Sequence, residues 1–167
     1  MDVEIFTLKR PITILTGTRG SGKTQTCQRW VDQARNAGWT AAGLLSPAVV
    51  EEGEKTGIDV INLATGERRR LADRVDRQSG YIVTDHWDFS PDALAWGNDV
   101  LGEILPCGLL VVDELGPLEF YRRQGWVKAF DTIQTGLYRL AVVVIRPELL
   151  DEARLLWPDS GIIDLDT

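Results

Sequence analysis

Gly17-Thr18-Arg19-Gly20-Ser21-Gly22-Lys23-Thr24 is the stretch of this sequence that decides the fold. It matches G-x-x-x-x-G-K-[ST], the pattern of a phosphate-binding loop, at every fixed position. Glycines let backbone N–H groups turn toward phosphate oxygens, and the amino end of the following helix favours the same anion. We therefore predict that residues 17–24 bind the phosphates of a nucleotide. Lys23 is expected to reach the β- and γ-phosphates, and the Thr24 hydroxyl to ligate Mg²⁺.

Apolar runs alternate with helical patterns on both sides of this loop. Residues 12–15 predict a strand before it, and apolar residues at helical spacing predict a helix over 23–37 that stops at Gly38. Continuous apolar strands between helices are typical of a mostly parallel sheet covered on both faces, which is a three-layer α/β sandwich. The other predicted elements are helices over 90–105, 126–137 and 149–157 and strands over 109–112, 140–145 and 162–165.

The middle of the chain has a different pattern. Residues 41–45, 58–63 and 81–83 predict strands, while 51–57 and 64–67 are rich in the glycine and polar residues of turns. We expect a hairpin-rich, antiparallel insert over about residues 40–84.

A second motif lies at the end of an apolar run, where Leu109-Leu110-Val111-Val112 is followed by Asp113 and Glu114. An acid that ends a buried strand needs a cation, and Mg²⁺ bound by Asp113, directly or through water, would supply one. Glu114 is then placed to orient or deprotonate the water that attacks the γ-phosphate. Glu119, five residues on, is the competing carboxylate.

Arginines are the candidates for stabilising the transferred phosphoryl group. Arg146 follows a predicted parallel strand, so it is expected at the carboxyl edge of the sheet, where ligands bind in open α/β folds. Arg19, Arg122 and Arg123 are weaker candidates. A run of arginines between residues 68 and 77 is interpreted as a solvated strand and turn; a nucleic-acid patch or a kinase-like lid is the alternative. His86 is interpreted as part of a surface loop.

The composition of the chain argues against some classes of binding partner. The 167 residues carry a net charge of −7 with a pI of about 4.7, which disfavours broad binding to nucleic acid or to anionic membranes. The sequence has neither a long apolar span nor the basic-then-apolar start of a secretory signal. Two cysteines, Cys27 and Cys107, make no disulfide framework. We expect one cytoplasmic domain over residues 1–167.

Both motifs resemble those of the small P-loop nucleoside-triphosphatase family that has thermophile and cancer-related members. Val112-Asp113-Glu114-Leu115-Gly116-Pro117-Leu118-Glu119 is similar to its V-D-E-[IL]-G-[PK]-[ML]-E motif, and residues 42–67 are similar to its middle stretch. The resemblance implies a RecA-like sheet with an antiparallel addition and slow Mg²⁺-dependent hydrolysis of several nucleoside triphosphates. It carries phosphate and metal binding over to the loop of residues 17–24, and metal and water roles to Asp113 and Glu114.

Two stretches depart from that family. Residues 2–10 are additional and predict an added edge strand, and Leu44-Leu45-Ser46 replace aromatic residues and a threonine.

Three functions agree with the motifs. The leading hypothesis is a hydrolase of nucleoside triphosphates, for which Lys23, Glu114 and Arg146 are the catalytic residues and Thr24 and Asp113 the metal ligands. The alternatives are a small-molecule or nucleoside kinase and a non-catalytic nucleotide-dependent switch or adaptor. The motifs read phosphates rather than the base, so base preference, protein partners and oligomeric state stay open.

Overall fold

The computed structural model of the protein describes residues 3–75, the backbone of 82–83, and residues 87–167. Arg77 and His86 lie outside the described residues. The strands are β1 (Ile12–Thr16), β2 (Ala41–Leu45), β3 (Ala48–Glu51), β4 (Glu54–Asn62), β5 (Arg68–Arg74), β6 (Ile82–Val83), β7 (Trp87–Phe89), β8 (Cys107–Leu115), β9 (Tyr138–Ile145) and β10 (Gly161–Asp164). The helices are α1 (Lys23–Asn36), α2 (Pro91–Gly102), α3 (Pro117–Phe120), α4 (Lys128–Gln134) and α5 (Leu150–Leu156).

One sheet contains all of these strands, in the order β10-β1-β9-β8-β2-β4-β5-β7-β6, with β3 paired to β4. The first five strands of this order run parallel to one another. From β2 onward every pairing is antiparallel. The predicted parallel sheet with an antiparallel addition is therefore confirmed, and the carboxyl ends of β1, β8, β9 and β2 meet at one edge.

Helices cover both faces of the parallel part, which makes the predicted three-layer sandwich. Neighbouring residues of one strand pack on opposite faces: Val142 belongs to the same core as Trp30 of α1, while Val143 belongs to the core on the other face, with Trp126 and Trp157. Each central strand is thus buried on both sides, which explains why its sequence is continuously apolar rather than alternating.

The added edge strand predicted for residues 2–10 is wrong. Among the described residues of this segment, Ile5–Thr7 form a single 3-10 turn that packs on α1. The Ile5 N–H donates to Gln33 Oε1 at 3.0 Å, and Trp30 Nε1 donates to the Val3 carbonyl at 2.7 Å. Because the backbone of β1 is already paired on both sides, with β10 and with β9, the segment finds its partners on the helix.

The insert contains more strand than its sequence predicts. The turn expected over 51–57 shrinks to Glu52 and Gly53, both with positive φ, and β3 and β4 extend to either side of it. Residues 68–74 of the arginine run form β5, as interpreted, and β7 starts at Trp87. Exposed charged residues such as Glu51, Glu54 and Lys55 conceal the full extent of β3 and β4, because an antiparallel addition needs only one apolar face.

Several predicted helices are shorter in the structure. Helix α2 ends at Gly102 rather than at 105, and Leu105 is exposed. The helix predicted for 126–137 is reduced to α4, since Trp126 enters the core before the helix begins. None of the helices in the described part of the chain is long and apolar enough to cross a membrane.

Helix α2 packs closely on Trp126 through Gly97. A Cβ atom at Gly97 would overlap the Trp126 ring, whereas one at Gly102 would meet only the flexible end of Lys128, at 3.1 Å. We expect Gly97→Ala to lower the free energy of unfolding by about 1–3 kcal/mol through overpacking. The matched change Gly102→Ala, on the same helix, should be neutral or stabilising by up to about 1 kcal/mol. Urea denaturation measures both, and equal stabilities would contradict the tight α2–Trp126 contact.

Candidate active site

The phosphate-binding loop connects the end of β1 at Thr16 to the start of α1 at Lys23. Gly20 and Gly22 adopt φ values of 80° and 96°, a left-handed conformation that side chains rarely tolerate. The Lys23 ammonium donates to the carbonyls of Gly17 at 2.7 Å and Thr18 at 2.9 Å, so it arches back across the loop. The amino end of α1 and a lysine therefore face the same loop, as the motif predicts.

Asp113 connects this loop to the neighbouring strands. Thr24 Oγ1 donates to Asp113 Oδ2 at 3.0 Å, and the N–H of Ser46, just after β2, donates to the same oxygen at 2.9 Å. The carboxyl is only 3% exposed. Burial raises its pKa to about 7, and the hydrogen bonds from Ser46 and Thr24 oppose this shift. A cation at this position would favour the ionised form.

Glu114 lies in a β-bulge of β8. Val112 pairs with Val143 and Leu115 with Ile145, so Asp113 and Glu114 together oppose a single residue, Val144. Glu114 has a φ of 69°, which is unusual for a residue with a side chain, and strained backbone of this kind is enriched at functional sites. The bulge directs the two neighbouring carboxylates to different partners: Asp113 contacts Thr24, and Glu114 contacts Arg146.

Arg146 follows β9 and lies at the predicted edge of the sheet. Its Nε donates to Glu114 Oε1 at 2.7 Å, and both side chains are 39% exposed. Partial burial alone would lower the pKa of Arg146, but the charge and hydrogen bond of Glu114 raise it overall. The structure therefore places the predicted water-activating carboxylate and the predicted phosphate-sensing arginine in direct contact.

The residues around Asp113 fit a magnesium ion. Thr24 and Asp113 offer a hydroxyl and a carboxylate oxygen, and the hydroxyl of Ser46, whose N–H donates to Asp113, is buried without a hydrogen-bond partner. Among the described residues, no three histidine, cysteine, aspartate or glutamate side chains form a metal-binding group. Mg²⁺ at nucleotide sites is usually held by one or two carboxylates together with phosphates and water, so a single buried aspartate beside Thr24 suits it.

Glu119 has a structural position. Its Oε1 accepts a hydrogen bond from the Gly116 N–H and its Oε2 accepts one from the Trp126 N–H, both at 2.8 Å. The side chain is buried, which raises its pKa to about 7 against the opposing effect of these two N–H groups. It holds the segment between α3 and α4 through these two hydrogen bonds, whereas Glu114 is partly exposed beside Arg146 and is the carboxylate better placed for water.

Two charged residues near the site were missed by sequence reasoning. Lys55 of β4 interacts electrostatically with Glu114, Arg19, Asp113 and Arg146; partial burial lowers its pKa and Glu114 opposes that shift. Asp166 accepts hydrogen bonds from the Thr18 N–H at 2.7 Å and the Thr18 hydroxyl at 3.0 Å. No sequence motif identifies Lys55 or Asp166, because each approaches the site only when segments that are distant in sequence pair in the fold.

The remaining arginine candidates do not join the Glu114–Arg146 pair. The side chains of Arg19, Arg122 and Arg123 are exposed. In the arginine run, each described guanidinium pairs with a carboxylate: Arg68 and Arg70 with Asp59, Arg70 also with Asp73, Arg69 with Glu67, and Arg74 with Glu54. This agrees with the interpretation as a strand on the surface that balances nearby acids.

The arrangement of loop, aspartate and bulge occurs in known proteins. The model of the family described as NTPase matches residues 12–155 of this chain. The chain belongs to the NTPase family. The resemblance seen in its two motifs is thereby confirmed.

Among the family's relatives are proteins named nucleoside-triphosphatase THEP1. The one from Methanopyrus kandleri is 28% identical over 106 residues, 64% of this chain and 58% of the relative. The one from Pyrococcus abyssi is 29% identical over 145 residues, which cover 85% of this chain and 78% of the relative. The match thus spans 58% of the length of the Methanopyrus kandleri relative, and the same share of one from Ignicoccus hospitalis.

Two solved structures share the fold. One is the solution structure of a human cancer-related nucleoside triphosphatase, with a TM-score of 0.69, 18% identity, and coverage of 93% of this chain and 88% of that one. The other is the crystal structure of THEP1 from the hyperthermophile Aquifex aeolicus, with a TM-score of 0.63, 20% identity, and coverage of 92% and 89%.

Asp166 is expected to support the phosphate-binding loop from outside. Replacing Asp166 with alanine removes the acceptor of the Thr18 N–H and hydroxyl, so the start of the loop is no longer held by these hydrogen bonds. We expect Asp166→Ala to weaken nucleotide binding about fivefold, the order expected when an exposed charged hydrogen bond is lost. Titration calorimetry checks this, with Asp159→Asn as a control for charge. Tighter binding by Asp166→Ala would mean instead that the carboxylate repels the phosphates.

Glu119 should make stability depend on pH. Its pKa rises from 4.5 in an ordinary environment to about 7 in the fold. The folded protein therefore binds more protons than the unfolded chain between these values, and the free energy of unfolding falls as pH rises through them. We expect this decline to be smaller in Glu119→Gln, by up to about 1.4 kcal/mol per pH unit. Identical slopes in urea denaturation from pH 5 to 7.5 would contradict the assignment; Glu103→Gln is the control.

Proposed function

We propose that the chain is a magnesium-dependent nucleoside triphosphatase that converts a nucleoside triphosphate and water into the diphosphate and phosphate, with loose base specificity. The observation that carries this proposal is the hydrogen bond between Thr24 and Asp113, residues 89 positions apart, which unites the phosphate-binding loop with the acidic strand end. The names of the relatives support the same reaction. The residues of the site lie within what we propose to be one domain, residues 1–167, working in the cytoplasm.

Lys23 performs the first task, which is to bind the phosphates. Its ammonium is satisfied by two loop carbonyls, those of Gly17 and Thr18, in the structure. An incoming triphosphate offers anionic oxygens instead, and a charge-assisted hydrogen bond to an anion is stronger than one to a neutral carbonyl. The lysine therefore turns from the loop to the β- and γ-phosphates, while the loop amides take the oxygens on the other side.

Glu114 performs the second task, which is to activate water. Thr24 and Asp113 would hold Mg²⁺, which would neutralise negative charge on the phosphates. Glu114 then accepts a proton from water while the water oxygen forms a bond to the γ-phosphorus. The bond between that phosphorus and the bridging oxygen breaks, and the diphosphate leaves with its electron pair. The proton on Glu114 passes to solvent, which restores the carboxylate.

Arg146 connects these two tasks. Without nucleotide it neutralises Glu114 through their 2.7 Å contact. A γ-phosphate at the same edge of the sheet competes for the guanidinium, because it carries more negative charge than one carboxylate. When Arg146 turns to the phosphate, Glu114 loses its partner and becomes a better proton acceptor. The pair thus delays water activation until the γ-phosphate is in place.

Two substitutions distinguish the role of Lys23 from that of Glu114. We expect Lys23→Ala to abolish binding and turnover together, since it removes the phosphate contact. Glu114→Gln should lower turnover about 10²–10⁴-fold, the usual contribution of a general base, and leave nucleotide binding intact. Phosphate release from ATP, GTP, CTP and UTP with Mg²⁺ measures turnover, and Glu103→Gln, an exposed glutamate after α2, is the control.

Loose base specificity predicts turnover with all four nucleotides. Full activity in Glu114→Gln would remove Glu114 from the mechanism. Nucleotide binding without turnover of any of the four would contradict hydrolysis and favour a kinase or a switch.

A further inference from the structure

Ser46 is the residue that follows β2, and β2 runs parallel to the acidic strand β8. The register pairs Leu44 with Val112, so two residues later Ser46 lies beside the bulge that contains Asp113 and Glu114. The Ser46 N–H donates to Asp113 Oδ2, the same oxygen that accepts from Thr24. Three segments thus converge on one carboxylate: the start of α1, the end of β2 and the bulge of β8.

The Ser46 side chain has no partner in this convergence. Its hydroxyl is buried and makes no hydrogen bond to the protein. A buried hydroxyl that leaves its hydrogen bonds unmade costs roughly 1–3 kcal/mol, so native proteins satisfy nearly all such groups with protein, water or ligand. Its neighbours include an aspartate whose Oδ2 is already engaged twice. The Ser46 hydroxyl is therefore available to bind a polar species at the Asp113–Thr24 site.

Other residues cannot supply this hydroxyl from the same side. Leu44 and Leu45, which precede Ser46, are fully buried in the two cores. Thr24 reaches Asp113 from α1, on a different element. Ser46 is the described group that approaches Asp113 from the end of β2, the strand on the far side of β8 from β9.

We propose that Ser46 is a positioning residue of the metal site: its N–H fixes the Asp113 carboxylate, and its hydroxyl binds a water molecule in the hydration shell of the nucleotide-bound magnesium. This rests on the proposed function. Mg²⁺ keeps several waters when it binds nucleotides, and protein groups around those waters set their orientation. A water bound to magnesium donates hydrogen bonds, and the Ser46 hydroxyl oxygen can accept one, which no apolar side chain at this position could do.

A hydroxyl that acts at the metal site and a hydroxyl that supports the fold affect stability differently. Ser46→Ala removes a group without a protein partner, so the nucleotide-free protein should keep or slightly increase its melting temperature. The Mg²⁺–nucleotide complex of the variant should gain less stabilisation than that of the unsubstituted protein, because ligand stabilisation follows ligand affinity. A hydroxyl needed for the fold would produce the opposite pattern, with a lower melting temperature before any ligand is added.

The test measures metal affinity directly. Mn²⁺ replaces Mg²⁺, and the free ion is followed by electron paramagnetic resonance with the protein in excess over a β,γ-imido nucleoside triphosphate, which is not hydrolysed, so that the nucleotide is bound to the protein. We expect Ser46→Ala to raise the Kd for Mn²⁺ about tenfold, the lower end of effects from residues that act through a metal's ligands. Ser46→Thr keeps the hydroxyl and should restore the affinity to within about threefold of that of Ser46.

Two further measurements locate the effect. Nucleotide affinity in EDTA should be the same for Ser46→Ala and the unsubstituted protein, while at saturating nucleotide kcat falls and the KM for Mg²⁺ rises. Ser160→Ala is the matched control, because Ser160 Oγ donates to the Trp157 carbonyl at 2.7 Å, away from Asp113. That variant should leave the Kd for Mn²⁺ unchanged.

The outcomes separate this inference from the proposed function. If the unsubstituted protein binds the Mn²⁺–nucleotide complex and hydrolyses nucleotides, but Ser46→Ala has the same Kd for Mn²⁺, the role of Ser46 is overturned and the proposed function stands. A lower melting temperature for nucleotide-free Ser46→Ala, with unchanged Mn²⁺ affinity, overturns it in favour of a structural hydroxyl. If the unsubstituted protein binds no Mn²⁺ with the nucleotide, both are overturned.

Discussion

The buried carboxylate of Asp113 is the constraint on which the site depends. It accepts hydrogen bonds from Thr24 and Ser46 at one oxygen, and so joins the first turn of α1 to the ends of β8 and β2. Burial makes its negative charge unfavourable unless a cation is near, which is why its pKa rises to about 7. A magnesium ion at this position would offset the unfavourable burial of the Asp113 charge. The phosphates of a nucleotide would supply further ligands to the ion.

Three acidic residues within seven positions have different environments. Asp113 is buried beside Thr24, Glu114 is half-exposed in a strained bulge with Arg146, and Glu119 is buried against backbone N–H groups. The bulge accompanies the first difference, because it sets Asp113 and Glu114 opposite a single residue of β9 and takes Glu114 out of the extended backbone conformation. The tight segment after β8 causes the second, since Glu119 returns to the N–H of Gly116. One acidic motif therefore provides the proposed metal ligand, the proposed proton acceptor and a loop anchor.

The antiparallel insert does more than extend the sheet. Strand β4 pairs with β2 and so secures the element that carries Ser46. It also brings Lys55, which lies over the Trp87 ring at 5.0 Å, into electrostatic reach of Glu114 and Arg146. The arginines of β5 are meanwhile engaged with acids such as Asp59 on the surface of the sheet. The insert thereby adds positive charge near the phosphate-binding edge and keeps most of its arginines in local pairs.

The sequence by itself determined the parallel sheet, the phosphate-binding loop and the family, because these depend on local patterns: continuous apolar strands, glycines at fixed spacing, and an acid after an apolar run. Only the tertiary structure decided which groups meet. Glu114 could not be matched to Arg146, nor Asp166 to Thr18, until strands distant in sequence paired in register. The segment before β1 was misjudged and the extent of the insert's strands was underestimated for the same reason: backbone groups pair with the groups that the folded sheet leaves unpaired, and sequence periodicity does not contain that information.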